Sequence, residues 1–135
     1  MNFTSNIYVI DDDEIHQFTM KKLLSMLGLS NHVTKFRNGE EAITFLKTQT
    51  ENKKYLPDII YLDINMPIMN GFEFLEEFSK LKSRLAKQVK IYMVSSSVDD
   101  VDIKKAIENK EIVSYLTKPI DLNELKSTII DTKIA

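Results

Sequence analysis

Short runs of β-branched and aromatic residues recur along the chain, at Ile7–Ile10, Val33–Phe36, Ile59–Leu62, Val89–Val94 and Ile112–Leu116. Between them the apolar residues fall at helical spacing instead. Ile15, Phe18, Leu23, Leu24 and Leu27 line the first such stretch, which Gly28 ends. Ala42, Ile43 and Leu46 line a second. Phe72, Leu75, Phe78 and Leu81 line a third, opened by Asn70 as a cap. Val98, Val101 and Ile107 mark a fourth, while Leu122, Leu125 and Ile129 mark a fifth that starts at Asp121. The polar, lysine-containing segment from Thr48 to Pro57 reads as a solvated loop.

Five strands alternating with five helices predict an α/β domain: a doubly wound parallel sheet with helices on both faces, joined by right-handed crossovers. The strands read as apolar on both faces, which is the pattern of a parallel sheet covered on both sides. At 135 residues the chain has the length of one domain, and residues 1–135 are expected to form it. No repeat, linker or low-complexity tract interrupts it.

Composition narrows the partners. The formal net charge is −2 and basic residues are interspersed with acids, so no basic patch points to direct nucleic-acid binding. Lys53-Lys54, the nearest thing to a basic cluster, falls in the polar loop. Cysteine is absent, which removes thiol nucleophiles and thiolate metal sites. The segment MNFTSNIYVIDDDE has neither a basic start nor a long apolar region, and no run approaches bilayer length. The sequon Asn2-Phe3-Thr4 therefore reads as chance, and a cytoplasmic location away from membranes is expected.

The polar residues carry the chemistry. Asp11, Asp12 and Asp13 follow the first strand, and Asp63 follows the third. Ser95, Ser96 and Ser97 follow the fourth, and Lys118-Pro119 follows the fifth. In an open parallel sheet all of these lie at the carboxyl edge, where sites form. If strands one and three are neighbours, Asp11, Asp12 and Asp63 converge. Two carboxylates about 4 Å apart repel by about 4 kcal/mol at an effective dielectric of about 20. A cation between them removes that repulsion. Oxygen ligands of this kind select Mg²⁺ or a similar ion, and Mg²⁺ binds through one or two carboxylates, waters and phosphate oxygens. A carboxylate beside a divalent ion, a lysine and a hydroxyl suits phosphoryl transfer through an aspartyl phosphate.

The motifs YVIDDDE, YLDINMPIMNG, YMVSSS and YLTKP, in this order and spacing, closely resemble the receiver domain of bacterial two-component response regulators. The resemblance covers almost the whole chain. It implies a flavodoxin-like (βα)5 fold with strand order 2-1-3-4-5. It makes Asp63 the phosphoacceptor, and Asp11 and Asp12 the acidic pair, with Asp12 the direct metal ligand. Asn65 would offer its backbone carbonyl to the same Mg²⁺. Ser95 matches the switch hydroxyl, Tyr115 the switch aromatic and Lys118 the phosphate-binding lysine, with a cis bond to Pro119 expected. Ser97, two beyond the switch hydroxyl, would border the site where dephosphorylation is tuned.

Other residues read more plainly. Asp13 and Glu14 suit helix capping, favoured by the helix dipole. The acidic run is not a calcium loop, because the required Gly and the later Glu are missing. Ser96 reads as backbone support, Met66, Pro67 and Met69 as loop shape and packing, and Gly71 as backbone freedom early in the third helix. His16 and His32 have no partner at metal or catalytic spacing and are expected on the solvated surface. The Phe72–Phe78 stripe is core.

The function expected is a signalling switch rather than an enzyme, one that catalyses only its own phosphorylation and dephosphorylation. A sensor histidine kinase or histidine phosphotransfer protein would be the phosphodonor. With the chain ending at Ala135, no output domain is expected, and a downstream protein would dock on the face made by helix four, strand five and helix five. Two alternatives differ in class. One is a Mg²⁺-dependent phosphatase of the haloacid dehalogenase type, which usually needs a second Asp where Asn65 stands. The other is an adaptor that keeps the fold without phosphorylation.

Overall fold

The runs IYVI, IIYL and KIYMVS form the centre of a parallel sheet, as β1 (Ile7–Ile10), β3 (Ile59–Leu62) and β4 (Lys90–Ser95). β2 (Val33–Phe36) and β5 (Ile112–Thr117) are its edges, and the five strands run in the order β2-β1-β3-β4-β5. They alternate with α1 (Glu14–Met26), α2 (Gly39–Thr48), α3 (Gly71–Leu81), α4 (Asp100–Glu108) and α5 (Leu122–Ile134). The structure is a computed structural model that describes residues 6–134, without the side chains of Ser30 and of residues 131–134. The Asn2-Phe3-Thr4 sequon lies outside the described residues. The fold is the flavodoxin-like (βα)5 arrangement expected, with strand order 2-1-3-4-5.

Side-chain alternation sends each central strand into two cores. Tyr8, Ile10, Ile60, Leu62, Ile91 and Met93 pack on one face with buried residues of α2, α3 and α4. Ile7, Val9, Ile59, Tyr61, Tyr92 and Val94 pack on the other with Met20 and Leu24 of α1 and Leu125 and Ile129 of α5. Each fully buried aliphatic or aromatic side chain contributes about 1.5–3 kcal/mol. The expectation of strands apolar on both faces holds for these three strands only. At the edges, Thr34 and Lys35 of β2 and Val113 and Ser114 of β5 are exposed, since one side of an edge strand has no neighbour.

Two helices correct the periodicity reading. On α1, Ile15 and Phe18 are 79% and 69% exposed, and the buried face carries His16, Gln17, Met20 and Leu24. The physical reason lies in the ends of the first two strands. Gln17 Nε2 donates to the carbonyls of Val9, Asp11 and Phe36 at 3.0, 3.0 and 3.1 Å, satisfying backbone that water cannot reach. Val98 lies exposed in the loop before α4, and on the helix Val101 and Ile107 point outward while Ala106 is the buried residue.

The helix starts follow local chemistry. Asp13 caps α1, Asn38 caps α2, Asp99 caps α4, and Asn70 forms a reciprocal capping box with Glu73 on α3. Asp121 accepts the Glu124 amide at 2.8 Å at the start of α5. Each cap contributes about 1 kcal/mol. After α1, Gly28 takes φ +77, the left-handed conformation that ends a helix at low steric cost.

Candidate functional site

The sheet register builds the site. Ile10 pairs with Leu62 and Leu62 with Met93, so the residues that follow leave adjoining strands side by side. Backbone bonding continues one step past the strand ends. The Asp11 amide donates to Phe36 O at 3.0 Å, Asp63 to Ile10 O at 3.0 Å, and Lys118 to Ser95 O at 2.9 Å. Asp11, Asp12 and Asp63 thereby converge, with one carboxylate oxygen from each lying within 4.8 Å of the others.

Burial separates the three acids. Asp12 is exposed, whereas Asp11 and Asp63 are buried. Asp63 Oδ1 accepts the Ile64 amide at 2.8 Å, and Oδ2 lies 3.5 Å from Lys118 Nζ. Burial and then the Asp11 charge push the Asp63 carboxyl up to about 6, against the pull of Lys118. Burial also pushes Asp11 up, but hydrogen bonds from His16, Lys118 and the Asp13 amide more than offset it, leaving Asp11 below the usual carboxylate range. Lys118 Nζ stands 2.9 Å from Asp11 Oδ2, nearer than to Asp63. Burial lowers the Lys118 ammonium, yet the two carboxylates prevail and hold it above its ordinary value. The Lys118–Pro119 bond is cis.

The loop from β3 to α3 is tied beneath Asp63. Gly71 N donates to Ile64 O at 2.8 Å, and a Cβ at position 71 would collide with the Asp63 carbonyl oxygen and lie 3.0 Å from Ile64 Cα. Gly71 therefore serves close approach, correcting the expectation of backbone freedom. The strained position of this loop is Ile68, at φ 69 and exposed. Asn65 lies exposed on the same loop, two residues beyond Asp63.

Ser95 is buried at the end of β4, and its hydroxyl accepts the Ser97 amide at 3.2 Å. Ser97 Oγ in turn donates to Asp102 Oδ2 of α4 at 2.9 Å. Tyr115 of β5 is half-buried and its hydroxyl donates to Ser97 O at 2.8 Å. Burial raises the Tyr115 phenol, with the Ser95 hydroxyl pulling the other way and the Asp102 and Asp63 charges adding to the rise.

His16 is the residue that sequence reasoning misplaced. It is buried, and its ring Nδ1 lies 2.7 Å from Asp11 Oδ2. A usable signal is present in the sequence. With Asp13 as the cap, His16 is the third residue of α1, and helical side chains lean toward the N-terminus, here toward Asp11. His32, by contrast, is half-exposed in the short turn before β2.

The response regulator receiver domain family matches residues 7–130. The chain belongs to that family. A receiver protein from Dyadobacter fermentans is 32% identical, with a TM-score of 0.78 over 95% of this chain and 97% of that one. A two-component response regulator from Cytophaga hutchinsonii is 26% identical, with a TM-score of 0.86 over 99% of this chain and 100% of that one. The probable methanogenesis regulatory protein FilR2 of Methanothrix harundinacea is 25% identical over 127 residues, 94% of this chain and 80% of that protein. Of other curated relatives the receiver chain spans much less: 22% of a DNA-binding transcriptional regulator and 7% of a hybrid histidine kinase.

Receiver domains act as signalling switches in two-component systems and bind Mg²⁺ in an acidic pocket. The residues here fit such an ion. Three carboxylates supply hard oxygen donors within reach of one another, and the Asp63 carboxyl, raised first by burial and then by the Asp11 charge, has a cost that a cation would relieve. Among the described residues no helix is long and apolar enough to cross a membrane.

Proposed function

We propose that this receiver domain is a phosphoacceptor switch in which Asp63 takes a phosphoryl group from a phosphohistidine, on a sensor histidine kinase or a histidine phosphotransfer protein. One observation carries the reading: the Asp63 carboxylate sits at a strand end beside two further acids and within 3.5 Å of a lysine ammonium. A carboxylate oxygen of Asp63 forms the new O–P bond as the N–P bond of the donor breaks, and the donor imidazole leaves with the electron pair and is then protonated. With its carboxyl near 6, Asp63 is ionised and nucleophilic at neutral pH.

A bound Mg²⁺ supplies charge neutralisation on the transferring oxygens, and Asp11, Asp12, Asp63 and the Asn65 carbonyl are the groups that would hold it. Lys118 is placed to pair with a phosphoryl oxygen on Asp63, and the Ser95 hydroxyl to donate to another. The same hydroxyl accepts the Ser97 amide, so a turn of Ser95 toward the phosphoryl group is passed to the β4–α4 loop. Tyr115 holds the same loop through Ser97 O, so loop and ring respond together. The change reaches the α4–β5–α5 face, where Val101, Ile107 and Val113 expose apolar surface for a downstream protein. Ile15 and Phe18 offer similar surface on α1, next to the acidic site, for the phosphodonor. The chain's mixed charge supports protein rather than nucleic-acid partners, and the cytoplasm is the compartment where such donors act.

Incubation with acetyl phosphate and Mg²⁺, followed by intact-mass measurement, tests the proposal. The expected result is a gain of one phosphoryl group that is lost in Asp63→Ala. Absence of any adduct on a wild-type chain that binds Mg²⁺ overturns it in favour of the adaptor reading.

A further inference from the structure

Asp11 is 2% exposed, and both oxygens of its carboxylate are engaged. Oδ1 accepts the Asp13 amide at 2.9 Å. Oδ2 faces Lys118 Nζ at 2.9 Å and His16 Nδ1 at 2.7 Å. An ionised carboxylate only accepts, so Nδ1 carries the shared hydrogen. The other ring nitrogen, Nε2, is buried without a hydrogen-bond partner among the described residues. Asp11 is thus the polar anchor of an enclosed ring.

We infer that His16 is a positioning residue for the acidic site: it clamps Asp11 Oδ2, so that the carboxylate keeps its orientation and charge when Lys118 turns to the phosphoryl group. The inference rests on the phosphoacceptor reading of Asp63. Lys118 now divides itself between Asp11 at 2.9 Å and Asp63 at 3.5 Å. To serve a phosphoryl group on Asp63 it must loosen its hold on Asp11. A buried carboxylate whose lysine partner turns away needs another donor on the same oxygen to keep its orientation. His16 removes the conflict, because it reaches Oδ2 from α1 while Lys118 reaches it from the end of β5. The two clamps belong to different elements, and one can move while the other stays. Partners of this kind, one bond removed from a cation, orient the groups that bind it.

The test is Mg²⁺ affinity of the unphosphorylated full chain by isothermal titration calorimetry, for wild type, His16→Leu and His16→Asn. The amide of Asn places an N–H close to where Nδ1 stands. His16→Leu is expected to weaken Mg²⁺ binding about tenfold, and His16→Asn to recover most of the loss. A residue with a merely structural part would lower the metal-free melting temperature and leave the affinity alone. Leu within about twofold of wild type, or Asn no better than Leu, overturns the inference. A second measurement needs no variant: in the ¹⁵N NMR spectrum of the wild type, the His16 Nδ1–H signal should persist, protected from exchange, once Mg²⁺ and beryllofluoride are added. Its loss under those conditions also overturns the clamp. Failure of the wild type to bind Mg²⁺ at all is a different result, one that removes the phosphoacceptor reading itself.

Discussion

Asp11 and Asp63 leave the ends of adjoining strands side by side, yet their carboxyl groups are pushed in opposite directions. Asp11 is held below the ordinary range and Asp63 is raised to about 6. The raised group makes stability depend on pH with a definite sign. Below the ordinary carboxylate value of 3.8, folded and unfolded chains both hold the Asp63 proton. From there to about 6 the folded state binds more protons, so the stability of the metal-free protein falls as pH rises. The gap corresponds to on the order of 3 kcal/mol. Asp63→Asn should therefore be more stable than wild type by about 1–3 kcal/mol near neutral pH, with the difference vanishing toward about pH 4. Urea unfolding in chelator across that range checks it, and a difference independent of pH would contradict the assignment.

A divalent cation at the acidic site would compete with Lys118 to neutralise the same acids. Lys118→Met should leave Mg²⁺ binding intact or tighter, while slowing adduct formation from acetyl phosphate by about 10²–10³-fold. Calorimetry and timed mass spectrometry separate the two effects. Loss of Mg²⁺ binding in a folded Lys118→Met protein would mean that the lysine organises the cation site instead.

The contact between Gly71 and the Asp63 carbonyl leaves no room for a methyl group. Gly71→Ala is expected to cost about 1–3 kcal/mol, the range for overpacking a close contact. Because the strain falls on the Asp63 backbone, Mg²⁺ affinity should fall with it. Urea denaturation and calorimetry on one variant measure both, and a stable variant with weakened Mg²⁺ binding would place the whole strain on the loop.

Tyr115 has a hydrogen bond whose loss can be read locally. Tyr115→Phe removes the donor to Ser97 O and should cost about 1 kcal/mol. Amide exchange should quicken from Ser97 into α4, while phosphorylation of Asp63 proceeds as in wild type. Unchanged exchange there would show that the Ser97–Asp102 bond holds the loop without help.

Much of the site is legible in the sequence, for a simple geometric reason. Asp11, Asp63 and Lys118 each directly follow an apolar strand run, and Ser95 ends one. In a parallel sheet every such run ends on the same edge, so position along the chain becomes position in space. Which strands are neighbours is not legible in this way, and the strand order came with the family resemblance. Helix faces are less legible still. Ile15 and Phe18 have the spacing of a core stripe, but α1 turns His16 and Gln17 inward because Asp11 and the carbonyls of Val9 and Phe36 need donors.

The sequence by itself determined which residues close each strand, and with them the acids, hydroxyl and lysine that share one rim of the sheet. Only the tertiary structure decided how those groups pair: Lys118 nearer Asp11 than Asp63, and His16 drawn inside to meet Asp11. Apolar periodicity registers a face through local spacing. A hydrogen bond between a buried ring and a carboxylate depends on how separate elements pack, and that distance is set only when the chain has folded.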